Sequence, residues 1–159
     1  MLQWQFLRFD DLPTRDWYAA SAARIDVFVM EQTCPFQDLD GADFHAWHLL
    51  GWYVVDGERK LAAYCRLVDA GVKFDEPSIG RVITTAAFRG KGYGKLLMAE
   101  ANVRHETLYP GHANRIGAQA RLQQFYENLG FVKASEVYEE DGIPHIEMVR
   151  KVAVKKISF

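Results

Sequence analysis

From Gln3 to Phe9 the chain alternates moderately between apolar and polar positions and is rich in aromatics, which predicts a strand. Pro13 and Thr14 then mark a helix start, with Thr14 as N-cap and Asp16 in the first turn. Tyr18, Ala22, Ile25 and Val29 follow at spacings of four, three and four, one face of a helix. Cys34 to Asp43 breaks the pattern into a loop. His45 to Val55 reads as a long strand, joined through Asp56-Gly57 to a second strand from about Leu61 to Val68, a hairpin signal. Ile79 to Thr84 is short and β-branched, and it runs into the glycine-rich stretch Arg89 to Gly94. A helix is expected from Lys95 to about Leu108, where Leu97, Ala101 and Leu108 recur at four and seven, and Pro110 and Gly111 end it. Arg115 to Gln119 predicts another strand and Leu122 to Leu129 a short helix stopped by Gly130. The last two strands flank Asp141-Gly142.

The order is β, α, β, β, β, α, β, α, β, β. Strand-helix-strand in the middle implies a parallel crossover, and the Asp-Gly hairpins imply antiparallel edges. The expected fold is therefore α/β: a mixed sheet with helices on both faces. A length of 159 residues suits one domain running nearly end to end. With 19 Lys and Arg against 21 Asp and Glu, the net charge of -2 lacks the basic surplus that nucleic-acid binding usually needs. No uncharged stretch reaches the ~18 residues of a membrane span, and Met1 to Asp11 does not read as a leader. A soluble, cytoplasmic protein is expected. Cys34 and Cys65 fit no metal or redox spacing, so reduced, buried thiols are expected at both.

The candidate chemistry sits at Arg89-Gly90-Lys91-Gly92-Tyr93-Gly94, between a strand and a helix. Alternate glycines let successive N–H groups converge, and the helix that follows adds its positive dipole end, so the turn suits a phosphate. Arg89, Lys91 and Lys95 add charge at the same place. A Walker A loop is excluded because Leu96 follows Gly94-Lys95 and no glycine lies five residues before Gly94. The dinucleotide fingerprint fails because the third glycine comes one residue early.

The pattern R-G-x-G-x-G after a strand and before an amphipathic helix resembles the coenzyme A pyrophosphate loop of the GNAT superfamily of N-acetyltransferases. About thirty residues later, the segment from Gln119 to Phe131, with Tyr126, Gly130 and Phe131 in the pattern Y-x-x-x-G-F, is similar to the second signature of that superfamily. The N-terminal stretch Val27 to Gln32, with Cys34 to Asp38, looks like the ElaA-like branch. The resemblance implies a mostly antiparallel mixed sheet with a splayed parallel strand pair. Acetyl-CoA would be the co-substrate, with its pantetheine arm on the edge formed by Val82, Ile83 and Thr84. Its pyrophosphate would lie on the amides of Arg89, Gly90, Lys91, Gly92, Tyr93 and Gly94, with Gln119 beside the cofactor. Ala86 stands where the family usually has a proline. Tyr126 matches the general acid that protonates the departing thiolate, and a phenol of pKa about 10 keeps its proton at neutral pH. Read from residue type alone, Tyr126 beside Phe125 is a core aromatic, and only the motif gives it the acid's role.

Acyl transfer to an amine needs the neutral amine, so a base is expected. Glu31 and His45 lie where family members line the acceptor side. His45 and His48 flank Trp47 in a strand-like run and would face opposite ways, so no metal site is expected. Asp38 to Gly41 does not place calcium ligands at the required loop positions. Glu31, Asp38, Asp40 and Asp43, with no Lys or Arg among them, suggest an acidic acceptor side that selects cationic amines or basic peptides. An ordinary solvated acidic loop explains the same residues. The function implied is direct acetyl transfer to an amine of a small molecule or peptide. A non-catalytic acyl-CoA sensor and a nucleotide-binding module remain as alternatives, and the oligomeric state is open, a homodimer included.

Overall fold

The structure is a computed structural model that describes residues 1–152. β1 (Leu2–Arg8) leads through a 3-10 turn into α1 (Thr14–Arg24), which continues as a π-helix over Ile25–Glu31. β2 (Ala46–Val55), β3 (Glu58–Val68) and β4 (Ser78–Thr84) follow, then α2 (Tyr93–Leu108) and β5 (Asn114–Gln119). A 3-10 turn (Ala120–Leu122) opens α3 (Gln123–Glu127), and β6 (Val132–Lys133), β7 (Tyr138–Glu140) and β8 (Ile143–Arg150) close the fold.

The strands make two sheets, β1-β2-β3-β4 and β5-β8-β6, with β7 also paired to β8, and every ladder is antiparallel. The sheets meet where β4 and β5 begin. Arg115 N–H donates to the Pro77 carbonyl at 3.2 Å, and Ile79 N–H to Asn114 Oδ1 at 3.3 Å. From that contact the two strands run in the same direction and separate, and their residues Ile79–Thr84 and Ile116–Gln119 line a cleft of about 620 Å³. This is the expected splayed parallel pair in a mostly antiparallel α/β fold, with the strands divided between two sheets that meet at the pair.

Strand alternation sends neighbouring residues to opposite faces. Leu49, Cys65, Ile116 and Met148 bury against Leu97, Met98 and Ala101 of α2, together with Tyr126 and Phe131. Leu50, Tyr64 and Ile83 take the other face, under Ala20 and Ala23 of α1. Helices cover both faces.

Three local expectations are corrected. Pro13 precedes the first residue of α1, and Thr14 makes no capping bond. The face of α1 read from Tyr18, Ala22 and Ile25 is exposed, and the buried side carries Asp16, Ala20, Ala23 and Arg24. Apolar spacing misled because two of those inward residues are ions held by partners elsewhere in the chain: Asp16 by Gln5 and Arg59, Arg24 by Asp38 and Asp43. In α2, Leu108 is 37% exposed and His105 takes the inward position. Among the described residues no helix is long and apolar enough to cross a membrane.

Candidate active site

β4 carries the first special feature. Tyr64 pairs with Ile83 and Arg66 with Gly80, so Arg81 and Val82 stand together against the single residue Cys65, a bulge. Arg81 adopts φ +51° there, a conformation costing a non-glycine residue roughly 1–3 kcal/mol. Its guanidinium is held in return: Nε donates to Asp38 Oδ1 at 2.8 Å and Nη2 to the Asp38 carbonyl at 3.1 Å, with Phe28 and Phe36 beneath. The bulge thereby fixes the loop of residues 33–41 against the cleft wall.

That loop corrects the acidic-acceptor expectation. Asp38 is bound by buried Arg24 at 3.0 Å as well as by Arg81. Asp40 takes Arg66 and Lys73 at 2.8 Å each, and Asp43 takes Arg24 at 2.6 Å and Arg66 at 2.9 Å. Burial works against the Arg24 cation, but Tyr64, Asp43 and Asp38 more than offset it and raise its pKa. Burial likewise works against the Asp40 carboxylate, yet Arg66 and Lys73 hold its pKa well below the usual range. These three carboxylates are consumed inside the protein and present no free negative field to a substrate.

The glycine turn lies beyond the open end of β4. Gly90 (φ +75°) and Gly92 (φ +78°) occupy the left-handed region, and Gly92 immediately precedes α2. A Cβ at either would meet nothing within 4 Å, so glycine is required there by the backbone angle. Gly94 is different: its Cα packs beside Phe125 and Thr84, where a Cβ would come within 3.7 and 3.9 Å. The first amides of α2 have no intrahelical acceptor. Arg89, Lys91 and Lys95 are exposed around this positive dipole end, and the first turn has no acidic residue. Cations at a helix N-terminus are unfavourable by a few tenths of a kcal/mol unless an anion joins them, so the turn fits a phosphate.

The expected site residues divide. Val82, Ile83, Thr84, Arg89, Gln119, Tyr126 and Glu31 all line the cleft, and Gly90, Lys91, Gly92, Tyr93 and Gly94 form the turn at its end. Glu31, the last residue of the π-helix, bonds Arg89. Gln119 Nε2 donates to Gln32 Oε1 at 3.1 Å, and its own Oε1 accepts from Arg121 Nε at 3.2 Å, so it ties the two cleft walls together. Tyr126 is 6% exposed, with its ring edge-on to Phe125 and Phe131. Burial, with a smaller contribution from Cys65, pushes its pKa above that of an ordinary phenol, and Arg121 opposes this. His45 is not brought to the cleft. It ends a 3-10 turn outside β2, is exposed, and its carbonyl accepts the Asp69 N–H at 2.9 Å.

The family model for the acetyltransferase (GNAT) domain matches residues 51–152. The chain is also 42% identical to Protein ElaA of Escherichia coli over 96% of its own length and 98% of the relative's. The chain belongs to the GNAT acetyltransferase family. Two solved GNAT-fold structures superpose closely. An acyl-CoA N-acyltransferase from Pseudomonas aeruginosa gives a TM-score of 0.87 at 41% identity, covering 94% of this chain and 99% of that one. Escherichia coli ElaA gives 0.86 at 41% identity, covering 95% and 100%.

In this GNAT chain, sequence reasoning missed Arg81, Gln32 and His145. Arg81 and Gln32 give no local signal, since a bulge and a π-helix end are settled by what packs against them. His145 follows the Asp141-Gly142 turn, but only its register with Gln119 brings it to the cleft.

Proposed function

We propose that the chain is an acetyl-CoA-dependent N-acetyltransferase that moves the acetyl group directly to an amine of a small molecule or peptide. The observation that carries this reading is Tyr126, a phenol that lines the cleft between the β4 edge and β5, with the cationic glycine turn at the cleft's end. Beyond Pro77 and Ile79, β4 turns its free edge towards the cleft, which suits an extended pantetheine arm, and Arg89, Lys91 and the amides of Gly92 to Lys95 suit its pyrophosphate. The acetyl carbonyl then lies near Val82 and Thr84, open to an amine from the side of Glu31, Gln32 and Gln119. The amine nitrogen forms a bond to the acetyl carbon, the carbon–sulfur bond breaks, and the sulfur takes the Tyr126 proton. Burial makes the phenol a weaker acid, and it makes the departing thiolate a stronger base by the same desolvation, so the transfer is not opposed by the full gap between them.

A thiol-release assay with acetyl-CoA across a panel of amines tests the reading, preceded by mass spectrometry of whatever copurifies. Acetyl-CoA at 100 times its dissociation constant adds ~2.7 kcal/mol, a rise of several degrees in Tm. Stabilisation together with thiol release is expected. Stabilisation without release on any amine would leave an acyl-CoA-binding sensor, and no stabilisation would overturn the cofactor assignment.

A further inference from the structure

His145 lines the cleft from β8, with its side chain 12% exposed. It pairs directly with Gln119 of β5 and Tyr138 of β7, so the three side chains share the face of the sheet opposite the core residues Ala118 and Ile146. Nδ1 lies 2.7 Å from the Ile143 carbonyl. A carbonyl only accepts, so Nδ1 carries the hydrogen and the neutral ring leaves its lone pair on Nε2. Nε2 stands 3.6 Å from Glu140 Oε2, and the ring stacks on Tyr138 at 6.0 Å. The charged and titratable groups around it are Glu140 and Tyr138 from β7, Glu147 two residues along β8, and Arg121, which reaches the Gln119 side chain from beyond β5. The ring is thus oriented by one hydrogen bond at Nδ1, and Glu140 stands beside the nitrogen that keeps the lone pair. The other acceptor-side candidates lack this arrangement: Glu31 is engaged by Arg89 and His45 lies outside the cleft.

Resting on the acetyl-transfer reading, we propose that His145 is the catalytic base of the reaction and takes the proton of the acceptor amine on Nε2. An ammonium acceptor gives one proton to Nε2, and the freed lone pair attacks the acetyl carbon. The sulfur leaves with the Tyr126 proton, and the second amine proton returns to Tyr126 through solvent. The imidazolium then releases its proton to solvent, so each turnover yields amide, free thiol and one proton.

His145→Asn tests the proposal, because its carboxamide N–H can still donate to the Ile143 carbonyl but has no basic nitrogen. Acetyl-CoA should protect this variant against heat as it does the parent. With benzylamine, an ammonium at neutral pH, kcat/KM should fall about 10²-fold at pH 7, and the deficit should shrink as pH approaches the amine's own pKa. With p-anisidine, uncharged at pH 7, the deficit should be markedly smaller. Independently of any acceptor, long-range ¹H–¹⁵N spectra of ¹⁵N-histidine protein should show the His145 ring as the Nδ1–H tautomer at pH 7.5. An Nε2–H neutral ring, or a variant with unchanged rate and pH profile, overturns the proposal. Failure of acetyl-CoA to protect the parent is a different result, which overturns the transfer reading while the tautomer still decides the state of His145.

Discussion

Arg89 of the glycine turn and Glu31 at the end of the π-helix bond across the mouth of the cleft, Nη1 to Oε2 at 2.9 Å and Nη2 to Oε1 at 3.0 Å. The pair bridges 58 positions of sequence and couples the glycine turn to the end of the π-helix. An anion on the turn competes with Glu31 for Arg89. At 42% and 41% side-chain exposure the pair is screened by water and is worth roughly 0.2–1 kcal/mol. Glu31→Gln should therefore tighten coenzyme A by up to about fivefold, and Arg89→Ala should weaken it, both read by calorimetric titration. Equal affinities in all three proteins would remove Arg89 from the phosphate site.

Tyr126→Phe deletes one oxygen and keeps the ring that packs on Phe125 and Phe131. Acetyl-CoA affinity should persist while turnover drops about 10²-fold or more, the scale of a positioned acid. A rate within threefold of the parent would return Tyr126 to the core alone.

The Arg24, Asp38, Asp43 and Arg66 ions are all at most 5% exposed in their side chains. Removing one partner leaves another charge buried without its mate, which costs about 3–5 kcal/mol. Asp43→Asn should lower Tm by about 10 °C or more. Neutralising Asp38 and Asp40 together should likewise destabilise the chain and leave the ranking of cationic and neutral acceptors unchanged. A selective loss of cationic acceptors at constant Tm would restore the loop as a recognition surface.

His48 is fully buried, with Nδ1 accepting from Tyr64 Oη at 2.7 Å and Nε2 donating to the Asp43 carbonyl at 3.0 Å. Burial, opposed by Asp43, pulls its pKa down from 6.5 to about 4. Between those values the unfolded chain binds a proton that the folded one refuses, so stability falls as pH drops from about 6.5 to about 4 and levels off below. The loss is on the order of 3 kcal/mol. Asp40 and Asp43, held below their usual range, add a second decline at more acid pH. Urea titrations across this span should show the first slope, and His48→Gln should flatten it while leaving the second. A parent whose stability is flat from pH 7 to 5 would contradict the assignment.

The sequence by itself determined the order of strands and helices save the two-residue β6, the hairpin turns and the glycine turn before α2. Each of these is written in neighbouring residues: alternation by two, recurrence by three and four, a glycine where φ must be positive. What the tertiary structure decided lies in pairings between distant residues. Asp38 looked like a free carboxylate until Arg81, 43 positions away, closed on it, and Tyr18 looked like a core position until the buried Arg24 set the inward face of α1. Gln119 meets Gln32 across 87 positions, and His145 reaches the cleft because β8 pairs with β5 in one register. A shift of one residue would turn His145 into the core and bring Ile146 out, because side chains alternate across a strand. That choice is made by what packs against both strands at once.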